Sequence, residues 1–167
     1  MNVMLTLDGE NITLTSFNSE HAQQLVAWRN DESIIKYFLN PKPLEMKDHL
    51  NWYNNSYLLD DDRIDFVITD KESGEAAGTA GIKNIGSKNI ELSYAIGNFD
   101  MRGRGFAKEA AQMLMDFAKK EFGATRASAL IHEENAPSRG FILNLGFAYT
   151  LKRLKENPKF MIFVKDL

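Results

Sequence analysis

The spacing of apolar and polar positions changes character several times along the chain. Residues Ile12–Phe17 alternate apolar and polar side chains, which predicts a half-buried strand. Helical spacing follows over Ala22–Trp28, with Ser19 as its predicted cap, and returns over Glu45–Tyr57. A shorter helical piece is predicted between them, over Ile34–Leu39. The N-terminal third therefore combines one strand with a helical insertion.

The middle of the chain returns to a period of two. Ile64, Phe66 and Ile68 alternate with polar residues, and two further strands are predicted over Ala77–Ile85 and Ile90–Ile96. Turn signals rich in Gly, Ser and Asn separate the three strands. Because the connections are short, we expect an antiparallel meander.

The last part of the chain alternates helices and strands. An apolar stripe at helical spacing begins at Phe106, and Gly123 is predicted to end this long helix. The elements that follow are a buried strand Ala127–Ile131, a helix Asn135–Leu145, and strands Phe147–Leu154 and Phe160–Val164. The long helix predicts a crossover that leaves the Ala127 strand parallel to the third meander strand. The expected fold class is α/β (α+β), with a mixed, mostly antiparallel sheet flanked by helices in one domain, residues 1–167.

Composition excludes several classes of function. The chain has no cysteine, which rules out thiol nucleophiles, disulfides and Cys-based zinc sites, and no cluster of metal-ligating residues is visible. The net charge is −3, and no run of Lys and Arg suggests a nucleic-acid partner. No apolar stretch is long enough to span a membrane, and the N-terminus lacks the pattern of a signal peptide. We expect a cytoplasmic protein without a nucleic-acid or membrane partner.

Two glycines flank an arginine just before the long helix. The stretch reads Arg102-Gly103-Arg104-Gly105-Phe106-Ala107. Glycine allows the backbone to approach a ligand closely, and the first amides of a helix have no partner within the helix. An oligophosphate fits such a site, and the two arginines add positive charge. The alternative is an ordinary glycine turn carrying two solvated arginines.

This loop and a second motif resemble the GCN5-related N-acetyltransferases, the GNAT family. Arg102, Gly105 and Ala107 match the family pattern Gln/Arg-x-x-Gly-x-Gly/Ala. Asn135–Ser138 and Asn144–Phe147 resemble its Asn-x-x-Ser/Ala helix that ends in Gly-Phe. The order of elements matches the GNAT acyl-CoA N-acyltransferase fold over nearly the whole chain.

Within the family, the chain looks most like the ribosomal-protein N-terminal acetyltransferase branch (RimJ/RimL-like). The stretch Trp28-Arg29-Asn30 is similar to one found in some members of that branch. Some amino-sugar-nucleotide acetyltransferases share a comparable start and a His-x-x-Trp motif, which His49–Trp52 matches.

The resemblance implies acetyl-CoA as co-substrate, with no metal. The pyrophosphate would bind the loop, and the pantetheine arm would lie between two splayed parallel strands, often beside a bulge. The residues implied are Tyr94, Ala95 and Ile96 on the strand, Arg102, Gly103, Arg104, Gly105, Phe106 and Ala107 in the loop, and Asn135 for the pantetheine. A backbone amide of the strand Tyr94–Ile96 would donate to the oxyanion.

The resemblance also implies catalytic roles for two residues. Glu91 would act as a base through water, and Ser138 would serve as an acid in place of the tyrosine that many members carry where this chain has Ile142. The alternatives are a solvated strand carboxylate opposite a basic partner for Glu91 and an ordinary helix-surface serine for Ser138. His132 is expected to be structural.

The acceptor is expected to be a small-molecule or peptide amine. Arg29, His49 and Trp52 are the candidate acceptor-binding residues, with ordinary packing or solvent exposure as the alternative. Three functions stay open at this point: acetylation of a small amine such as an amino sugar nucleotide, acetylation of a protein N-terminus, and acyl-CoA binding without catalysis. The final strands are candidates for homodimer pairing.

Overall fold

The computed structural model describes residues 4–167, which contain one eight-stranded sheet. The strands are β1 (Thr6–Asp8), β2 (Ile12–Ser16), β3 (Arg63–Asp70), β4 (Ala76–Lys83), β5 (Asn89–Ile96), β6 (Arg126–His132), β7 (Ala148–Arg153) and β8 (Phe160–Asp166). The helices are α1 (Ala22–Arg29), α2 (Glu32–Ile35), α3 (Met46–Asn55), α4 (Phe106–Phe122) and α5 (Ala136–Asn144).

The sheet is mixed and mostly antiparallel, as predicted. Its order is β1-β2-β3-β4-β5-β6-β8-β7, and β5–β6 is the parallel pair. The meander β3-β4-β5 is antiparallel throughout. The helix α4 connects β5 to β6, which is the crossover that parallel neighbours require.

The helix α4 covers the central strands on one face of the sheet and forms the main core with them. Its inward positions include Ala110, Leu114 and Ala118, each with no exposed surface. Small and branched residues at a helical spacing allow the helix to lie close to the sheet. The helix begins after Gly105 and ends before Gly123, both in the left-handed backbone region.

A second, aromatic cluster packs α1 and α3 against the sheet. Phe17 is its centre and lies 4.6 Å from the ring of Tyr57 and 5.3 Å from that of Tyr53. Val67 of β3 belongs to the same cluster. Along β3, Val67 alternates with Phe66 and Ile68, which belong to the main core, so this cluster lies on the other face of the sheet.

Several predicted boundaries were wrong. The strand Thr6–Asp8 is too short to give a periodic signal and was not predicted. Asn18, rather than Ser19, caps the N-terminal turn, accepting a hydrogen bond from the Glu20 amide at 2.9 Å. A helix was predicted over Ile34–Leu39. The structure has a helix over Glu32–Ile35 instead, so the two overlap only at residues 34 and 35.

Within residues 4–167, no helix is both long and apolar enough to cross a membrane. The expectation about a leader at the N-terminus concerns in part residues 1–3, which lie outside the described residues.

Candidate functional site

The two parallel strands separate halfway along their length. The pairing of β5 with β6 ends at Glu91 and Ser128. Beyond that point β5 stays paired with β4 as far as Ile96, and β6 stays paired with β8 as far as His132. The second half of β5 therefore borders a split in the sheet. No register shift interrupts the β4–β5 ladder, so the split forms without the bulge that we expected beside it.

The residues of β5 point alternately to the two faces at this split. Tyr94 is in register with Ala80 and Phe66, whose side chains belong to the main core under α4. Ala95 is in register with Thr79 and Val67, on the face of the aromatic cluster. Because Glu91 and Tyr94 are three residues apart in a strand, they face opposite sides of the sheet.

The loop that follows β5 presents backbone amides without partners. Among residues 4–167, no acceptor lies within hydrogen-bond distance of the amides of residues 103–108. Gly103 and Gly105 adopt φ values of +77° and +81°, which L side chains rarely adopt. These two glycines shape the loop, and the positive end of the α4 dipole adds to the field there. The arrangement fits a phosphate group.

The two arginines of the loop already have partners in the protein. Arg102 donates to the carbonyl of Ile96 at 3.2 Å and lies 4.0 Å over the ring of Phe99. Arg104 donates to the buried carboxylate of Asp70 at 3.2 Å. The guanidinium of Arg104 therefore joins the start of α4 to the end of β3.

Asp70 was not singled out in the sequence. Burial opposes its charge, but hydrogen bonds from Ser73 and the Glu72 amide, together with the charge of Arg104, hold the pKa of Asp70 below its ordinary value. A lone Asp at the end of a strand gives no sequence signal, because its partner lies 34 residues further along the chain.

The start of α5 meets β5 across the split. The side chain of Asn135 accepts from the Ser138 amide at 3.3 Å and caps the helix. The hydroxyls of Ser138 and Tyr94 are hydrogen-bonded at 2.9 Å. The structure thus brings together three residues from two separate motifs. Ile142, at the position of the missing tyrosine, is fully buried in the main core.

Glu91 is half-buried at the point where the split opens. Its register partners are Lys83 on β4 and Ser128 on β6. Among residues 4–167, no cation lies within 4.0 Å of its carboxylate. Lys83 is thus the basic residue opposite Glu91 that the alternative expected, but the two side chains form no ion pair.

The candidate acceptor residues lie in the helical insertion, where protein groups surround them. Arg29 donates to the Asn40 carbonyl at 2.7 Å and lies 4.0 Å over the Phe38 ring, and burial lowers its pKa. His49 is 5% exposed, which excludes the solvent-exposed alternative. Burial lowers the pKa of His49, and its Nε2 has no hydrogen-bond partner among residues 4–167. Trp52 is half-buried and lies 5.6 Å from the His49 ring.

Two further contacts tie the insertion to the split. The ring of Tyr37 lies 5.6 Å from that of His132, the last residue of β6. A Cβ on Gly97 would lie 2.2 Å from the ring of Trp28, so Trp28 packs directly on the backbone that follows β5. His132 is 7% exposed and accepts from the Glu134 amide at 3.1 Å through Nδ1. The insertion therefore borders the split on both of its strands.

The split sheet, the unpartnered amides and the order of elements are the features that the resemblance to acetyltransferases implies. A family model described as "Acetyltransferase (GNAT) domain" matches residues 11–148. An uncharacterized N-acetyltransferase of Bacillus licheniformis, p20, is 31% identical over 150 residues, covering 86% of this chain and 83% of that protein. The chain belongs to the GNAT acetyltransferase family and is an N-acetyltransferase.

Solved structures show the same fold. A spermidine N-acetyltransferase from Vibrio cholerae, in complex with CoA and spermine, superposes with a TM-score of 0.80 at 17% identity, over 93% of this chain and 95% of that one. RimL, a ribosomal L7/L12 alpha-N-protein acetyltransferase in complex with CoA, superposes with a TM-score of 0.79 at 14% identity, over 98% of each chain.

Proposed function

We propose that this enzyme transfers an acetyl group from acetyl-CoA to a primary amine by direct attack. Glu91 acts as the base through a water molecule, and Ser138 acts as the acid. One observation carries the proposal: the two groups stand on opposite faces of the sheet, where β5 and β6 separate. A thioester in the split would have the base on the side of the helical insertion and the acid on the side of α5.

The cofactor-binding part of the proposal rests on the backbone. The amides of Arg104 to Ala107 bind the pyrophosphate, and Gly103 and Gly105 allow the loop to close around it. The pantetheine arm pairs with the edge that Tyr94, Ala95 and Ile96 leave free, and Asn135 binds it from the other side. The family neighbours with CoA in their solved structures support this choice of co-substrate.

The chemistry requires the amine to lose a proton. A lysine-like ammonium has a pKa of about 10.4, and an α-amino group about 7.7–8.0. A base at Glu91 takes this proton through water. A backbone amide of β5 donates to the oxyanion that forms on the carbonyl, and Ser138 gives a hydrogen to the sulfur.

The acceptor enters from the side of the helical insertion, where Arg29, His49 and Trp52 shape the site. Arg29 and His49 are already packed against protein groups, so we expect them to act mainly by fixing the shape of this wall. Trp52 has the most accessible aromatic surface of the three for an acceptor. A small amine and the N-terminus of a protein both meet these requirements.

Release of free thiol from acetyl-CoA, followed against a panel of amines, tests the proposal. The panel contains amino sugar nucleotides, polyamines, amino acids and short peptides with free N-termini. We expect release that depends on one class of acceptor, and that class identifies the substrate. Tight binding of acetyl-CoA without release for any acceptor would favour a non-catalytic acyl-CoA-binding module instead.

A further inference from the structure

Within residues 4–167, one side-chain hydrogen bond crosses the split on the α5 side. The Tyr94 hydroxyl, on β5, lies 2.9 Å from the Ser138 hydroxyl, in the first turn of α5. The two residues are 44 positions apart in the chain, and neither hydroxyl has another hydrogen-bond partner among residues 4–167. The bond therefore connects the two sides of the split at one point.

The ring of Tyr94 is held in place by packing. It lies 4.6 Å from the ring of Phe141, one turn after Ser138 on α5, and packs against the main core. Burial raises the pKa of Tyr94 to about 12, against the opposing effect of the Ser138 hydrogen bond. At neutral pH the phenol is therefore protonated and has a hydrogen to donate.

The count of hydrogens in this pair decides what Ser138 can do. Each hydroxyl has one hydrogen to donate. If Ser138 donates to Tyr94, its hydrogen is used within the protein. If Tyr94 donates to Ser138, the hydrogen of Ser138 stays free for a third group in the split. Only the second arrangement lets Ser138 act as an acid.

We propose that Tyr94 is a positioning residue, whose hydroxyl donates to Ser138 and so directs the Ser138 hydrogen towards the leaving sulfur. This inference rests on the proposed function, because it assigns Tyr94 a role through Ser138. In that proposal the backbone of Tyr94 borders the pantetheine. The side chain of Tyr94 acts on the face of the sheet that α4 and α5 cover.

Every proton that moves in this step has a source and a destination. When the C–S bond breaks, its electron pair stays on the sulfur, which takes the hydrogen of Ser138. Ser138 takes the hydrogen of Tyr94, and water restores the hydrogen of Tyr94. The proton that water supplies replaces the one that the amine has lost through Glu91.

The test compares Tyr94→Phe with Ser138→Ala, the double variant, and Tyr149→Phe as the matched control. Tyr149 lies on β7, which β6 and β8 separate from the split, and its ring is 5.4 Å from that of Phe163. The readouts are the single-turnover rate of acetyl transfer, the solvent isotope effect on that rate, and the Kd of acetyl-CoA by calorimetry.

We expect Tyr94→Phe to slow single turnover by about tenfold, the scale of one lost hydrogen bond, with the Kd of acetyl-CoA within about twofold of wild type. The solvent isotope effect falls, because one moving hydrogen has been removed. In the Ser138→Ala background, Tyr94→Phe has no further effect, and Tyr149→Phe behaves as wild type.

Three results would overturn the inference. Equal effects of Tyr94→Phe with and without Ser138 would mean that Tyr94 acts alone. A change confined to the Kd of acetyl-CoA would mean a purely structural role. Full activity of Ser138→Ala would remove the acid role itself, and so would separate failure of the proposed function from failure of the Tyr94 role.

If Tyr94→Phe does not fold, as judged by its melting temperature, 3,5-difluorotyrosine at position 94 replaces it. This analogue keeps the ring and lowers the pKa of the phenol. A single-turnover rate and pH profile equal to wild type would then contradict the role of Tyr94.

Discussion

Gly105 and Gly123 stand at the two ends of α4 in the same backbone conformation, with φ of +81° and +67° and open space around each. Changing either to Ala costs about 1–2 kcal/mol of unfolding free energy, because both positions need a left-handed residue. Only Gly105→Ala is expected to weaken acetyl-CoA binding, by about tenfold, since Gly105 shapes the loop with the free amides.

Urea unfolding and calorimetry of acetyl-CoA binding measure the two effects separately. Gly123→Ala is the matched control because it carries the same backbone penalty at the far end of the same helix. A loss of affinity of the same size in both variants would show that the loop has no special role in binding.

Glu91 is the residue on which the proposed proton removal depends. Glu91→Gln keeps the size of the side chain and removes its basicity, so we expect turnover to fall by about a hundredfold or more. The Kd of acetyl-CoA is expected to stay within about twofold. Glu75→Gln, at an exposed position before β4, is the control and is expected to match wild type. Unchanged turnover of Glu91→Gln would exclude this base.

Single residues differ in how far the sequence predicts their surroundings. The sequence predicts the site of Gly105, because its position between a strand and a helix already implies an unusual backbone. It does not predict the partner of Tyr94 or of Arg104, because each depends on a residue more than 30 positions away. The alternation of Ile90, Leu92 and Tyr94 does place the Tyr94 side chain on the buried face, which was the available signal.

At the scale of elements, substitutions in the helical insertion and in the main core are expected to differ in their effect on acceptor binding. Phe17 is the centre of the aromatic cluster under α3, whereas Phe163 is buried on the last strands. Phe17→Leu and Phe163→Leu are each expected to cost about 1–2 kcal/mol of unfolding free energy. Only Phe17→Leu is expected to raise the KM of the amine acceptor.

Initial rates against acceptor and against acetyl-CoA separate these effects. The KM of acetyl-CoA is expected to be unchanged in Phe17→Leu, because the proposed cofactor site lies in the split and the loop. A rise of both KM values in both variants would mean that the insertion does not shape a separate acceptor site.

The ion pair between Asp70 and Arg104 fixes the end of β3 to the start of α4. Because the pKa of Asp70 is lowered in the folded protein, its contribution to stability is present above the unfolded pKa, about 3.9. It is lost as the pH falls through the lower, folded value. We expect Asp70→Asn to have a lower melting temperature at pH 7, and this difference to shrink below about pH 4.

Melting temperatures of wild type and Asp70→Asn between pH 3 and pH 7 measure the contribution of the Asp70 charge to stability. Asp61→Asn, in the exposed turn before β3, is the control for a change in charge. A difference that stays constant over this range would mean that the Asp70 charge does not contribute to stability.

The strength of the periodic signal decides which elements the sequence predicts. The helix α4 and the strands β3 to β6 have long apolar patterns and were predicted within about two residues. The strand Thr6–Asp8 has three residues, too few to show a period. The split between β5 and β6 lies where the pairing of these two strands stops, and no local sequence pattern encodes that point. The split was predicted only from the resemblance to the family.

At the scale of the whole molecule, the proposed acid and the proposed base lie on opposite faces of the sheet. The face under α4 and α5 carries the hydroxyl pair, and the face under α1 and α3 carries Glu91. A cytoplasmic location, a single domain over residues 1–167 and a homodimer through β7 and β8 stay predictions. Sedimentation at several protein concentrations would test the homodimer.

The central claim is that acetyl-CoA lies in the split and against the loop before α4. Amide hydrogen exchange with and without acetyl-CoA tests this most directly, because the amides of residues 103–108 have no partner within residues 4–167. We expect these amides, and those of residues 92–96, to exchange about tenfold more slowly, or slower still, with acetyl-CoA bound. The turn at residues 84–88, at the other end of β5, should be unchanged. Slower exchange elsewhere, with residues 103–108 unaffected, would contradict the account.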